Sequence, residues 1–171
     1  FKMDLKELKK HGAERFAIHG GFHRNRSNSA DNNYIGLLGE VTFGNWANLP
    51  TDMELRPNGD GGTDFKIALQ PHGCLFTVDV KTARIPKFLL VETQKPIADI
   101  YVLAKHSEGI EKTTITLLGW EFGRELLKQP TKEFGCRIVS HYLNRFDLRS
   151  MEELKSKMIF REDRKIYQEF S

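Results

Sequence analysis

Between Gly59 and Lys81 the chain reads GDGGTDFKIALQPHGCLFTVDVK, and this stretch constrains the fold more than any other. Phe65, Ile67 and Leu69 alternate with Asp64, Lys66 and Ala68; after Gln70-Pro71-His72-Gly73, Phe76, Val78 and Val80 alternate with Leu75, Thr77, Asp79 and Lys81. A period of two is the signature of a half-buried strand, and a short turn containing Pro and Gly joins two of them into a β-hairpin. If Leu69 and Cys74 close the turn, Phe65 faces Val78, Ile67 faces Phe76, and Asp64 faces Asp79. Directly opposed residues have Cβ atoms about 4.5–5.5 Å apart, and like charges so placed destabilise a sheet. Lys81 lies two residues further along the same face. A divalent cation would relieve the repulsion between the two carboxylates and turn a cost into a binding site.

The rest of the chain can bury such a hairpin. At 171 residues it is long enough for one domain with a sizeable core and short for two, so residues 1–171 are read as a single domain. Apolar residues make up 39% and charged residues 29%, the balance of a globular protein. No apolar run has the length of a membrane span and the first residues do not read as a signal peptide, so a cytoplasmic protein with no membrane partner is expected. Cys74 and Cys136 suit a reducing compartment, with a disulfide left open, and neither belongs to a zinc-type cluster. A net charge of +3 permits a polyanionic partner without requiring one.

A basic amphipathic helix is expected over about residues 2–18, ended by Gly20-Gly21, followed by a polar loop from Phe22 to Asn33 that carries Arg24 and Arg26. A second helix, capped by Asp31 or Asn32, covers about Asn33 to Ala47, with Tyr34, Leu37, Leu38 and Val41 as its core stripe. Glu40 lies at the margin of that stripe between Gly36 and Gly44, which suggests a helix set close to the sheet. Thr82 to Pro96 reads as a connection, and Ala98 to Ala104 as a strand buried on both faces. A polar turn from His106 to Thr113, a strand from Thr114 to Trp120, a helix over about residues 121–128 and a strand from Arg137 to Leu143 follow. Ser150 and Glu153 form a capping box for a last helix over about residues 151–169.

A glutamate on a helix, an aspartate at the head of a strand and Asp79-Val80-Lys81 on the next strand resemble the PD-(D/E)XK nuclease superfamily. The resemblance covers the middle two thirds of the chain. It implies an α/β, restriction-endonuclease-like fold: a mixed central sheet flanked by helices, with a core of helix, three strands, helix and strand. Glu40, Asp64, Asp79 and Lys81 match the family's motif positions, although Thr63 stands where the name has proline. Asp60 competes with Asp64 for the second position, but it precedes the strand within glycine-rich backbone and does not fit the register.

The resemblance implies a metal-dependent deoxyribonuclease that hydrolyses DNA phosphodiester bonds, an endonuclease of phage, restriction or repair type. Asp64, Asp79, the backbone carbonyl of Val80 and Glu40 would hold Mg²⁺, with Mn²⁺ able to substitute. Lys81 would orient or deprotonate the attacking water or stabilise developing charge. Arg24, Arg26, Lys66, Thr82, Arg84 and Lys87 are the expected contacts to the DNA backbone, which position nucleic acid without reading sequence. A homodimer would supply the two active sites that a double-strand cut needs. The rival reading keeps the fold and drops the chemistry: a non-catalytic nucleic-acid-binding module.

Overall fold

The computed structural model describes residues 9–10, 30–49, 63–109, 113–135 and 137–159. Of the expected first helix only Lys9 and Lys10 fall among these, both helical; Arg24, Arg26, Asp60 and the Phe22-to-Ser29 part of the polar loop lie outside the described residues. The chain is mixed α/β. Helix α1 (Ala30–Ala47) is followed by strands β1 (Phe65–Leu69), β2 (Cys74–Ala83), β3 (Phe88–Glu92), β4 (Ile100–Glu108) and β5 (Thr113–Phe122). After these come a short helix α2 (Gly123–Leu126), β6 (Thr131–Glu133), β7 (Val139–Asn144), α3 (Met151–Lys157) and β8 (Met158–Ile159). No helix among the described residues is long and apolar enough to cross a membrane.

The hairpin forms in the expected register. Phe65 pairs with Val78, Ile67 with Phe76 and Leu69 with Cys74, and Gly73 takes the positive φ of 65° that closes the turn. β2 then runs parallel to β4, β4 antiparallel to β5, and β8 adds to the far side of β1, giving a five-stranded mixed sheet in the order β5-β4-β2-β1-β8. A second, antiparallel sheet has the order β3-β7-β6. β3 and β6 occupy segments expected to be connections; five residues of Phe-Leu-Leu-Val-Glu and an all-exposed triplet carry too little alternation to be recognised alone.

The pleat of β2 sorts everything that follows. Val78 and Val80 join Phe43 of α1, Ile100, Val102 and Ala104 in one core, so α1 covers this face. Tyr101 and Leu103 point the other way and join Leu89 and Val91, so the small sheet covers part of the opposite face. α1 sits close to β2 as expected, but the glycine responsible is Gly39: a Cβ there would collide with Thr82 Oγ1, whereas one at Gly36 would meet nothing within 4 Å. Asp31 and Asn32 lie inside the first turn of α1 rather than capping it.

Two further expectations are corrected. His106 belongs to β4 and is buried, not in a turn, because the β4–β5 ladder extends to the pair Glu108–Thr113. The last helix ends at Lys157: Met158 and Ile159 are buried and pair with Leu69 and Ala68, so burial at the sheet edge prevails over helix propensity; residues 160–169 lie outside the described residues. The Ser150 cap does form, its Oγ accepting from the Glu153 N–H at 3.2 Å. The other half of the capping box does not, since the Glu153 carboxylate pairs with Arg149 at 3.1 Å.

Candidate active site

Asp64 precedes the first residue of β1, and its N–H donates to the Val78 carbonyl at 2.8 Å. Its carboxylate Oδ2 accepts from the Val80 N–H at 2.7 Å, so the side chain takes the place of a ladder partner where β1 has run out. The paired register ends at Phe65–Val78, one residue short of Asp64, whose charge still reaches Lys81. Asp79 is buried, and its Oδ2 accepts from Lys81 Nζ at 2.6 Å. Lys81 keeps 47% of its side-chain surface open, and its ammonium lies 5.9 Å from the centre of the Tyr101 ring. Tyr101 is anchored in turn by accepting from the Ala98 N–H at 3.1 Å.

The electrostatics follow from this geometry. Burial by itself pushes the Lys81 ammonium down, but Asp79, through its charge and its hydrogen bond, and then Asp64 outweigh that and hold the group above its usual value. Burial raises the Tyr101 hydroxyl, opposed by the Ala98 N–H and reinforced by the Asp79 charge. Lys81 is therefore an ammonium at neutral pH, aimed at two carboxylates.

Glu40 is half-buried on α1, the helix that covers the face carrying Val80 and Thr82, whereas Asp79 and Lys81 belong to the opposite face. Among the described residues no group of three or more His, Cys, Asp or Glu side chains is arranged to hold a metal ion. Of the expected carboxylates, Asp64 and Asp79 belong to the hairpin. Their hard oxygens suit Mg²⁺, which keeps several of its own waters and needs only one or two protein carboxylates.

The expected nucleic-acid contacts divide in the same way. Lys66 is exposed on the face of Asp64 and Asp79, two residues along β1, and Lys87 is exposed just before β3. Thr82 and Arg84 are corrections. The Thr82 hydroxyl is buried beneath α1 with no hydrogen-bond partner among the described residues, so it is not presented to a ligand. Arg84 follows Thr82 on the α1 side, within 3.5 Å of Asn32 and 3.8 Å of Glu108. It lines a cleft of about 440 Å³ with Tyr34, His106 and Thr113, whose floor is the buried His106 ring; the Nδ1 of that ring has no hydrogen-bond partner among the described residues.

Sequence reasoning missed Tyr101, which reads as one more apolar residue of a buried strand. It also missed Lys105, Arg145 and Phe146. These line the side of the sheet that carries Lys81; the pleat of β4 places Lys105 there, and the turn after β7 brings Arg145 and Phe146. No family model, curated protein or solved structure matches this chain.

Proposed function

We propose that the chain is a Mg²⁺-dependent deoxyribonuclease with a restriction-endonuclease-like core, hydrolysing DNA phosphodiester bonds at Asp64, Asp79 and Lys81. The observation that carries the reading is the Lys81–Asp79 pair, Nζ 2.6 Å from the carboxylate, on the central strand β2 of the main sheet beside the start of β1, where Asp64 accepts from the Val80 N–H. Neighbouring carboxylates cost stability, the more so for the buried Asp79, and a cation would complete the compensation that Lys81 begins. The order of α1, the antiparallel β1–β2 pair and the parallel β4 agrees with the expected core. β3 departs from it by joining the small sheet.

Asp64 and Asp79 would hold the ion. When bound, Mg²⁺ supplies charge neutralisation and a water of lowered pKa. The chain's own residues do the rest. The Val80 N–H fixes the Asp64 carboxylate, Asp79 and Tyr101 position Lys81, and Lys81 orients or deprotonates the attacking water or stabilises negative charge on the scissile phosphate. A cut through both strands would require two such sites and hence a homodimer.

The test is cleavage of supercoiled plasmid, linear duplex and single-stranded DNA with Mg²⁺, Mn²⁺ or EDTA. Wild type should cut with either metal, and Asp79→Asn and Lys81→Ala should not. Binding without cutting under every condition would favour the second reading, a nucleic-acid-binding module that lacks catalysis. Its supporting observation is that no group of three or more His, Cys, Asp or Glu side chains is arranged to hold a metal ion among the described residues.

A further inference from the structure

The pleat of β4 sends Lys105 and Ser107 to one side of the sheet and His106 and Glu108 to the other. Lys105 and Ser107 share their face with Tyr101, over which Lys81 sits. Together with Thr116, Leu118, Arg145 and Phe146 they line a cleft of about 390 Å³. Lys81 pairs with Leu103, so Lys105 lies one strand over and two residues along, about 8 Å from Lys81 at ordinary sheet spacings. That is close to the distance between successive phosphates of an extended nucleic-acid strand.

The chemistry of the cleft points the same way. None of its lining residues is acidic, and neither Lys105 nor Arg145 is ion-paired among the described residues. Arg84, on the other face, is held by Asn32 and Glu108. Phe146 is 80% exposed, the second most open of the large apolar side chains among the described residues after Ile85, and the Arg145 guanidinium lies 4.5 Å from its ring centre. One side of the ring is thus backed by a cation and the rest is open. An aromatic ring beside unpaired cations is the arrangement by which proteins hold unpaired nucleotides, stacking the base and neutralising the backbone. A duplex, whose bases are already stacked on each other, has no base to offer such a ring.

We propose that this cleft receives an unpaired nucleic-acid segment as it leaves the Lys81 site, with a base stacked on Phe146 and its phosphates held by Lys105 and Arg145. The substrate class is then DNA with a single-stranded stretch, a flap or a frayed end, rather than uninterrupted duplex. The inference rests on the nuclease reading for the position of the cut, but its own test does not require cutting.

The test is fluorescence anisotropy in EDTA at low salt, with labelled single-stranded and blunt duplex oligonucleotides. Phe146→Ala should weaken single-strand binding about tenfold, within the range for loss of one stacked base, and change duplex binding less than about threefold. Phe146→Trp should restore it. Lys105→Ala and Arg145→Ala should each reduce the salt dependence by about one phosphate contact, and Arg84→Ala, on the opposite face, should leave single-strand affinity within about twofold. Equal losses on both substrates, no effect of Phe146→Ala, or no single-strand binding by wild type would each overturn the proposal. If wild type still cuts duplex while Phe146→Ala binds single strands normally, the cleft assignment falls and the nuclease reading stands.

Discussion

Two clusters in this molecule set a cation between carboxylates, and they do opposite things. At one end of β5, Arg149 donates to Glu121 at 2.9 Å and to Glu153 at 3.1 Å, and its guanidinium lies 5.5 Å from the ring centres of both Trp120 and Phe122. The backbone closes around it: Trp120 and Arg149 exchange N–H···O bonds of 3.0 Å, and Trp120 Nε1 donates to the Ser150 carbonyl at 2.9 Å. All of these contacts but the Arg149–Glu153 pair join β5 to the segment leading into α3. On the central strand β2, Lys81 meets Asp79 and Asp64 within one hairpin, beside Tyr101 of β4, whose own ladder partner is Glu121. The first cluster is explained by the fold it holds. The second leaves an ammonium nearly half open beside a buried carboxylate, and that difference is the physical argument for assigning it a chemical role.

The sharpest way to break the comparison is to measure activity and stability on the same variants. Asp79→Asn and Lys81→Ala are expected to lower metal-dependent cleavage by at least about 10²–10³-fold, the scale for loss of one preorganised charged group. Their unfolding free energies should fall by no more than about 1 kcal/mol, because Lys81 is half-exposed, although Asp79 beside it is buried. If both variants instead lose stability and cleavage together, the cluster is structural like its counterpart.

Glu121→Ala should give the reverse. It leaves Arg149 partly buried beside two rings with one carboxylate fewer. Full burial of such an orphaned charge costs about 3–5 kcal/mol, which the 38% exposure of the Arg149 side chain reduces to about 1–2 kcal/mol. Urea unfolding should report that loss while cleavage by the folded fraction is unchanged. Next in size is the seat of α1. Gly39→Ala forces its new methyl against Thr82 Oγ1 and should cost about 1–2 kcal/mol as overpacking. Thr82→Ala in the same chain should return a measurable part of it, a coupling that a double-mutant cycle reads directly.

How much of this was legible in the sequence follows from the range of the interactions. The hairpin register from Phe65–Val78 to Leu69–Cys74 could be read because period two, a Pro/Gly turn and a matched apolar face are all local. Glu40 was drawn into the site by its spacing between Gly36 and Gly44, whereas the close approach is made by Gly39, a fact that depends on where Thr82 stands across the sheet. Thr82 and Arg84 were grouped with Lys81 by proximity in the chain, but Thr82 is separated from it by the pleat and Arg84 is held on the α1 side. Met158 and Ile159 read as helix until the vacant side of β1 is known. The Phe146 cleft drew no signal at all, since its lining residues come from three separated segments.

The smallest expected effect separates the clusters by pH. A lysine whose pKa is higher in the folded than in the unfolded chain adds stability while it is protonated in both states, and that contribution is lost as the pH rises through the folded value. Lys81 is raised from an ordinary value of 10.5. Its contribution is therefore complete at pH 8 and fades only above that ordinary value, and half exposure limits it to at most about 1 kcal/mol. In EDTA, the difference in unfolding free energy between wild type and Lys81→Met should shrink between pH 8 and the most alkaline pH at which both fold. The corresponding difference for Arg149→Met should stay flat, because a guanidinium keeps its charge across that range. A Lys81 difference that is equally flat would mean that Asp79 holds the lysine by packing and not by charge, which would remove the distinction between the clusters at its electrostatic root.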